Sequence, residues 1–386
     1  MHIKRFICIV LFSFYSQWVL ASLPIQYWQT SSGARVYFVE NHDLPMLDIN
    51  VEFAAGSAMD TASKSGCANL VQHLLSLGAS GLSEDQIATA LADVGAQLKN
   101  NFDRDRAGLA LRTLSSERER KQALDVFARI IQSPEFPQEI LLREKARIIS
   151  SIKESSTKPD YIGERELMKM LYRSHPYGFN EMGEIETLNK LQREDLLTFY
   201  RSYYVAGNAV IAIIGDVTRL EAAAIAERLT ENLSSGGLKA EVSAVPIPVA
   251  ETKRIPHPAT QSHIQSAYPG LRRSDPDYFP LLVGNHILGG GGFVSRLMEE
   301  VRQKRGLAYS VYSFFAPYKE QGPFQIGLQT KKEQSEEALA LTQKVLKEFV
   351  ASGPTEEELL AAKQNIIGGF PLRIDSNSKI LSYLSM

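Results

Sequence analysis

One order of elements is written twice along this chain, on either side of a segment that no helix can cross. In the first half, Ala34 to Val39 and Leu47 to Phe53 run in β-branched and aromatic residues and read as strands joined by the polar turn Glu40 to Asp43. Ser65 to Leu77 and Glu84 to Val94 carry apolar residues at helical spacing, stopped by Gly78 and Gly95. Strand-like stretches follow, including Gly108 to Leu114, then helical patterns over Glu117 to Ile131, Pro137 to Glu154 and Tyr161 to Tyr172, and an apolar strand from Ala209 to Gly215. Ser234-Ser235-Gly236-Gly237 and the prolines at 246, 248, 256 and 258 then exclude a helix interior. Beyond them come a strand from Gln261 to Ala267, helices from Tyr278 to Leu288 and Val294 to Gln303, and strands from Ala308 to Phe315 and Phe324 to Thr330.

This repeat predicts an α+β protein of two related, duplicated α/β domains, each a sheet flanked by helices. The expected divisions are 22–233 for the first domain, 234–258 for the linker and 259–386 for the second. The second copy is shorter by roughly its last quarter. The amphipathic ending Leu381-Ser382-Tyr383-Leu384-Ser385 has neither a stop signal nor a polar tail, so the chain reads as part of a longer protein with a truncated second domain.

Lys4 and Arg5, the apolar stretch Phe6 to Phe14 and the small-residue site Val19-Leu20-Ala21 read as a secretory signal, residues 1–21, cleaved after Ala21. Ser13, Ser16 and Gln17 interrupt a stretch already short of the ~20 apolar residues a spanning helix requires, so no membrane span is expected after signal removal. A mitochondrial presequence would be Arg-rich and amphipathic, which favours a periplasmic or secreted location. The formal net charge of -2 becomes -4 without Lys4 and Arg5, which argues against nucleic acid as a partner. Of two cysteines only Cys67 survives cleavage, so the mature chain forms no internal disulfide, and Cys67 on an apolar helix reads as a small buried residue.

The first helix reads Gly66-Cys67-Ala68-Asn69-Leu70-Val71-Gln72-His73-Leu74-Leu75 after an Ala55-Gly56-Ser57 turn. It resembles the zinc helix of the pitrilysin (insulinase-like) metallopeptidases, the inverted zincins, whose members carry Gly-x-Ala-His-x-x-Glu-His-x-Leu at this place. The resemblance puts Asn69 where that family has its first His, Gln72 where it has the catalytic Glu, and His73 at its second His. Its third ligand, a Glu on a later helix that precedes a Pro, falls by count on Ser150, upstream of Lys158-Pro159. A register slip to Ile149 or Ser151 supplies no ligand either. Gln72 has no basic carboxylate to take a proton from water. Asn69 is a weak donor, and a lone His cannot hold zinc. His73 therefore reads as a helix histidine with a structural partner, for which Asn69 one turn earlier is the candidate. Glu144 and Glu154 share the later helix but miss the spacing, and His42, His175, His257, His263 and His286 show no ligand spacing with one another.

The resemblance covers nearly the whole mature chain. Gly95-Ala96 with Asp103-Arg104, Ser133-Pro134-Glu135-Phe136, His175-Pro176-Tyr177-Gly178 and Tyr203-Tyr204 leading to Gly215-Asp216-Val217 follow the family in order. It implies two domains of the metallopeptidase and mitochondrial processing peptidase-like type. In the second half Val301-Arg302-Gln303-Lys304-Arg305-Gly306-Leu307-Ala308-Tyr309-Ser310 is close to Leu-Arg-Glu-Lys-x-Gly-Leu-Ala-Tyr-Ser, so Arg302 and Tyr309 match the family's substrate-clamping pair. There they hold the substrate backbone and stabilise the developing oxyanion. Without the resemblance, Arg302 is a solvated helix charge and Tyr309 a half-buried strand residue. Gly289, Gly290, Gly291 and Gly292 lack the Gly-Lys-Ser/Thr ending of a phosphate loop. They read as a flexible joint between helices, where the family has a glycine-rich loop with substrate and hinge roles.

A ruined zinc helix beside an intact clamp pair implies a non-catalytic subunit of an exported zinc-peptidase complex. It would position peptide or unfolded substrate for a catalytic sister subunit with an intact motif, and zinc is expected only in that partner. The alternatives are a peptide-binding or scaffold protein without a catalytic partner, and an active metalloendopeptidase with unconventional ligands.

Overall fold

The structure, a computed structural model, describes residues 24–236 and 241–385. The signal-peptide reading lies outside the described residues. In the first half the strands are β1 (Gln26–Gln29), β2 (Arg35–Glu40), β3 (Met46–Phe53), a small hairpin of β4 (Gly78–Ala79) and β5 (Leu82–Ser83), β6 (Gln97–Phe102), β7 (Ala107–Leu114) and β8 (Ala209–Gly215). Its helices are α1 (Cys67–Leu74), α2 (Glu84–Ala92), α3 (Glu117–Gln132), α4 (Gln138–Ser155), α5 (Pro159–Tyr172), α6 (Ile185–Lys190), α7 (Arg193–Tyr203) and α8 (Arg219–Thr230).

Strand β3 shows why the sheet has two different faces. Leu47, Ile49, Val51 and Phe53 point into the main core with α1 and α3, while Asp48, Asn50 and Glu52 alternate with them and are also buried. The polar set is satisfied across the sheet: Arg112 Nε donates to Asp48 at 2.7 Å, Asn101 to Asn50 at 2.9 Å, and Arg106 Nη1 to Glu52 at 3.0 Å. A one-residue slip would drive these charges into the apolar layer, so the register has one solution. The six strands run in the order β1-β2-β8-β3-β7-β6, parallel only between β2 and β8.

The second half adds β9 (Gln261–Pro269), α9 (Tyr278–Asn285), β10 (Ser310–Phe315), β11 (Pro323–Lys331), α10 (Ser335–Ser352), α11 (Glu356–Gly369) and α12 (Asn377–Leu384). Its three-stranded sheet has the order β10-β11-β9, all antiparallel, which repeats β6-β7-β3 of the first sheet element for element. The duplicated order legible in the sequence is therefore a duplicated topology. The helices expected over Tyr278 to Leu288 and Val294 to Gln303 are less regular than their spacing suggests. α9 continues into wide turns at His286–Gly290, where Gly291 N reaches back five residues to the His286 carbonyl, and Met298–Gln303 is wound the same way. Glycines offer no side chain to pack against the preceding turn, so the looser winding closes the helix here.

The halves are tied at three places. α5 packs on β9; the β10–β11 turn enters the first half; and α12 lies on the first sheet with Ile380, Leu381 and Leu384 against Val39, Ala212 and Ile214. Among the described residues, no helix is long and apolar enough to cross a membrane.

Candidate functional site

The start of α1 is built by Asp60, whose buried carboxylate accepts from Gly66 N at 2.7 Å and Ala68 N at 2.9 Å. An acid at a helix N-terminus satisfies free N–H groups and meets the positive end of the dipole. Burial nonetheless pushes this carboxyl up to about 7. Gly66 adopts a left-handed conformation, φ 93°, and a Cβ there would meet the backbone of Gly183 at 2.8 Å, so glycine is required. Cys67 is buried on the inner face, and burial together with the nearby Asp60 pushes its thiol up. It is an inert packing residue.

Gln72 is also buried and is fully used by the fold. Its Nε2 donates to the Gly108 carbonyl on β7 at 2.6 Å, and its Oε1 accepts from Tyr204 Oη at 3.1 Å. Burial raises the Tyr204 hydroxyl well above its ordinary value, so it stays a donor. A glutamate in this place would set one carboxylate oxygen against a carbonyl oxygen with no proton between them. The amide is thus a fit to its surroundings as well as the loss of a base.

His73 faces out of α1 and pairs with Glu144 on α4, Nε2 to Oε2 at 2.8 Å, in place of the partner one turn earlier suggested by the sequence. Asn69 has no side-chain hydrogen bond among the described residues. Glu144 is 1% exposed and also accepts from Arg143 Nε at 2.5 Å and Arg147 Nη1 at 3.0 Å; Arg143 reaches on to Glu84 at 2.7 Å. Burial alone would raise the Glu144 carboxyl, but the His73 and Arg143 hydrogen bonds outweigh it and hold it below the ordinary value. An ionised carboxylate only accepts, so the proton sits on His73 Nε2, and that nitrogen has no lone pair free for a metal.

Ser150 is exposed on α4 and lines an open cleft with Arg143, Arg147, Ser151 and Glu154. It is six residues past Glu144, a rotation of roughly 240° around the helix, whereas Ser151 returns to within about 20° of the Glu144 face. The helix face that meets His73 is therefore continued by Ser151, and the count along the sequence falls one residue off it. Neither serine is a zinc ligand of the ordinary type. Among the described residues no group of three or more His, Cys, Asp or Glu is placed to hold a metal ion. The donor set of Asn69, Gln72, His73 and either serine does not fit catalytic zinc, which uses three protein ligands.

Arg302 and Tyr309 belong to the second half, and among the described residues no hydrogen bond or ion pair joins them to α1. Arg302 stacks over the exposed Phe293 ring at 5.1 Å and makes no ion pair among the described residues. Tyr309 is 53% exposed; its backbone N–H bonds to Gln329 and its hydroxyl makes no hydrogen bond among the described residues. Gly289 packs against β10 so closely that a Cβ would lie 2.5 Å from Ser313 Oγ. Three of the four glycines, Gly289, Gly290 and Gly291, are thus crowded by neighbours, while only Gly292 has open space around it. The segment is a tight joint as much as a flexible one.

Between this joint and β10 lies a cleft of about 550 Å³, lined by every residue of β10 together with Tyr278, Leu282, Gly289, Gly290 and Met298. Its wall is mostly apolar, and the outer edge of β10 pairs with no strand among the described residues. From the sequence, Glu144 was weighed and set aside as a ligand, Tyr204 was named without a role at the site, and Arg143 and Arg147 were missed. The one available signal was a carboxylate set among Arg143, Lys145 and Arg147 on an amphipathic helix, and the spacing argument set it aside.

Residues 35–183 match the family model Insulinase (Peptidase family M16), and residues 190–366 match the Peptidase M16 inactive domain. A crystal structure of a peptidase M16 inactive domain from Pseudomonas fluorescens is 39% identical, with a TM-score of 0.91 over 94% of this chain and 87% of that one. YmxG of Bacillus subtilis, named an uncharacterized zinc protease, is 26% identical over 92% of this chain and 86% of its own length. The Helicobacter pylori protein named non-peptidase homolog YmxG is 27% identical over 90% of this chain and 80% of its own. Two duplicated α/β domains with a zinc helix emptied of its metal set define an inactive homologue of a metallopeptidase. The chain belongs to the insulinase family, peptidase family M16.

Proposed function

We propose that this chain is the non-catalytic subunit of an exported zinc-peptidase complex and that it binds and positions peptide substrate for a catalytic sister subunit. One contrast carries the reading. Gln72 and His73 on α1 are spent on the fold, while the exposed Tyr309 and the half-buried Arg302 make no side-chain hydrogen bond or ion pair among the described residues, in the half that carries the apolar cleft and a β10 edge that pairs with no strand among those residues. A strand edge without a partner strand offers backbone N–H and C=O groups to an extended peptide, here on either side of Ser313, whose carbonyl accepts from Asn285 Nδ2 at 3.2 Å, and an apolar cleft beside it takes alternate side chains. Such a surface selects for unstructured segments and not for one sequence. The reading in terms of export rests on the leader-like first residues, and that of zinc in the partner rests on the donor set here.

Turnover of a fluorogenic, unstructured oligopeptide by this chain, by a sister with an intact His-x-x-Glu-His helix, and by their mixture tests the proposal. The mixture is expected to cleave far faster than either alone. Cleavage by this chain alone would overturn the reading, and full activity of the sister alone would leave this chain a scaffold or an independent peptide-binding protein.

A further inference from the structure

Two turns far apart in sequence meet where the halves join. The β6–β7 turn carries Arg104 and Asp105, and the β10–β11 turn carries Tyr318 to Gln321. Arg104 donates from Nε to Tyr318 Oη at 3.1 Å and from Nη1 to the Tyr177 carbonyl at 2.8 Å, and it pairs with Glu181 at 3.3 Å. Asp105 accepts from Tyr177 Oη at 2.7 Å and from the backbone N–H of Lys319 at 2.7 Å. Tyr177 Oη accepts in turn from Glu320 N at 3.1 Å, and Tyr172 Oη donates to the Gln321 carbonyl at 3.1 Å. The tip of the second domain's hairpin thus has its backbone groups satisfied by side chains of the first. Partly buried backbone polar groups are costly to leave unpaired, so the tip has one seat.

The seat is continuous with both halves of the proposed site. Toward α1, Ser57 N and Ala58 N bond the carbonyls of Asp103 and Arg104 at 3.2 and 2.7 Å, and Gly56 passes so close that a Cβ would lie 2.4 Å from the Arg104 oxygen. Asp60, which caps α1, follows directly. Toward the cleft, β10 runs from the seated turn back to Ser310, beside Tyr309. A chain of covalent and hydrogen-bonded neighbours therefore joins α1 to Tyr309, and each of its cross-domain links named above has a first-domain side chain at one end.

We infer that Arg104 and Asp105 are positioning residues that fix where the Arg302 and Tyr309 pair stands relative to α1 and that touch no substrate themselves. The functional consequence rests on the proposed clamp; the geometric claim does not. A guanidinium is needed at Arg104 because one group serves a hydroxyl, a carbonyl and a carboxylate together, a fork that lysine cannot supply.

Paired nitroxide labels test it directly. In a background with Cys8→Ala and Cys67→Ala, labels at Ser150→Cys on α4 and Val294→Cys beside the glycine joint report the distance between halves by pulsed electron spin resonance. The parent is expected to show one narrow distance distribution. Arg104→Gln, Arg104→Lys and Tyr318→Phe are expected to broaden it, with circular dichroism unchanged. Tyr318→Phe removes a single hydroxyl, so it decides the matter should Arg104→Gln fail to fold. A distribution as narrow as the parent's in the folded variants would overturn the inference. Peptide turnover of the same variants with the sister subunit is a separate readout. A broadened distance with normal turnover would support the positioning role and count against the clamp.

Discussion

His73 and Glu144 face each other from α1 and α4 at 2.8 Å, and the same carboxylate is held by Arg143 and Arg147. Where a metal would need negative or neutral donors, this chain has built a compact ion-pair network with two guanidinium groups. A dication would have to displace a proton from His73 and compete with both arginines for Glu144.

The network should be sensitive to acid. The folded Glu144 carboxyl is held below its ordinary value of 4.5, so its contribution to stability is complete above that value and is lost as pH falls through the lower, folded one. Glu144→Gln is expected to cost ~2 kcal/mol at neutral pH, because hydrogen bonds to a charged group are lost. Urea unfolding of both proteins from pH 7 to pH 3 should show the gap closing below pH 4.5. A gap that persists undiminished at the acid end would mean that shape, not charge, sets the contribution of Glu144.

Gln72→Glu is expected to destabilise the chain by on the order of 3 kcal/mol at neutral pH, since it buries a carboxylate against a carbonyl oxygen. Burial raises such a group's pKa above the unfolded value, so the penalty should grow as pH rises from 4 to 7 and then stay. Urea midpoints across that range measure it. Unchanged stability would show that β7 relaxes away from the side chain.

The duplicated order of strands was legible in the sequence because it is local, as in the alternation within β3, and the residue types at Asn69, Gln72 and His73 are read directly from one helix. What was not legible depends on packing between distant elements. The partner of His73 lies 71 residues on and is set by how α4 crosses α1. Likewise the choice between Ser150 and Ser151 is a matter of helix rotation that counting cannot resolve to one residue. The hydrogen bonds of Gln72 come from β7 and Tyr204, which no helical pattern announces. The glycine run was read as a joint, yet Ser313, Asn285 and His286 are what crowd three of its four residues.

After dialysis, the purified mature chain is expected to hold no stoichiometric zinc by elemental analysis. Asn69→His with Gln72→Glu should still give no peptidase activity alone, because a third ligand is lacking. Of the two serines, Ser151→Glu is the addition expected to confer zinc binding, since it shares the face of α4 that meets His73, and Ser150→Glu is expected to fail. One tightly held zinc in the unaltered chain would contradict the reading of the donor set.

The most direct measurement is turnover by the reconstituted pair when this chain carries Tyr309→Phe or Arg302→Ala. Neither side chain makes a hydrogen bond or ion pair among the described residues, and the Arg302 stack on Phe293 lies at the surface, so fold and pairing should survive, as size-exclusion chromatography will report. Removal of a donor that acts in the transition state lowers the rate about a hundredfold or more. That fall, with kcat affected more than KM, is the expected result; wild-type turnover in both variants would contradict a substrate-positioning role for this chain.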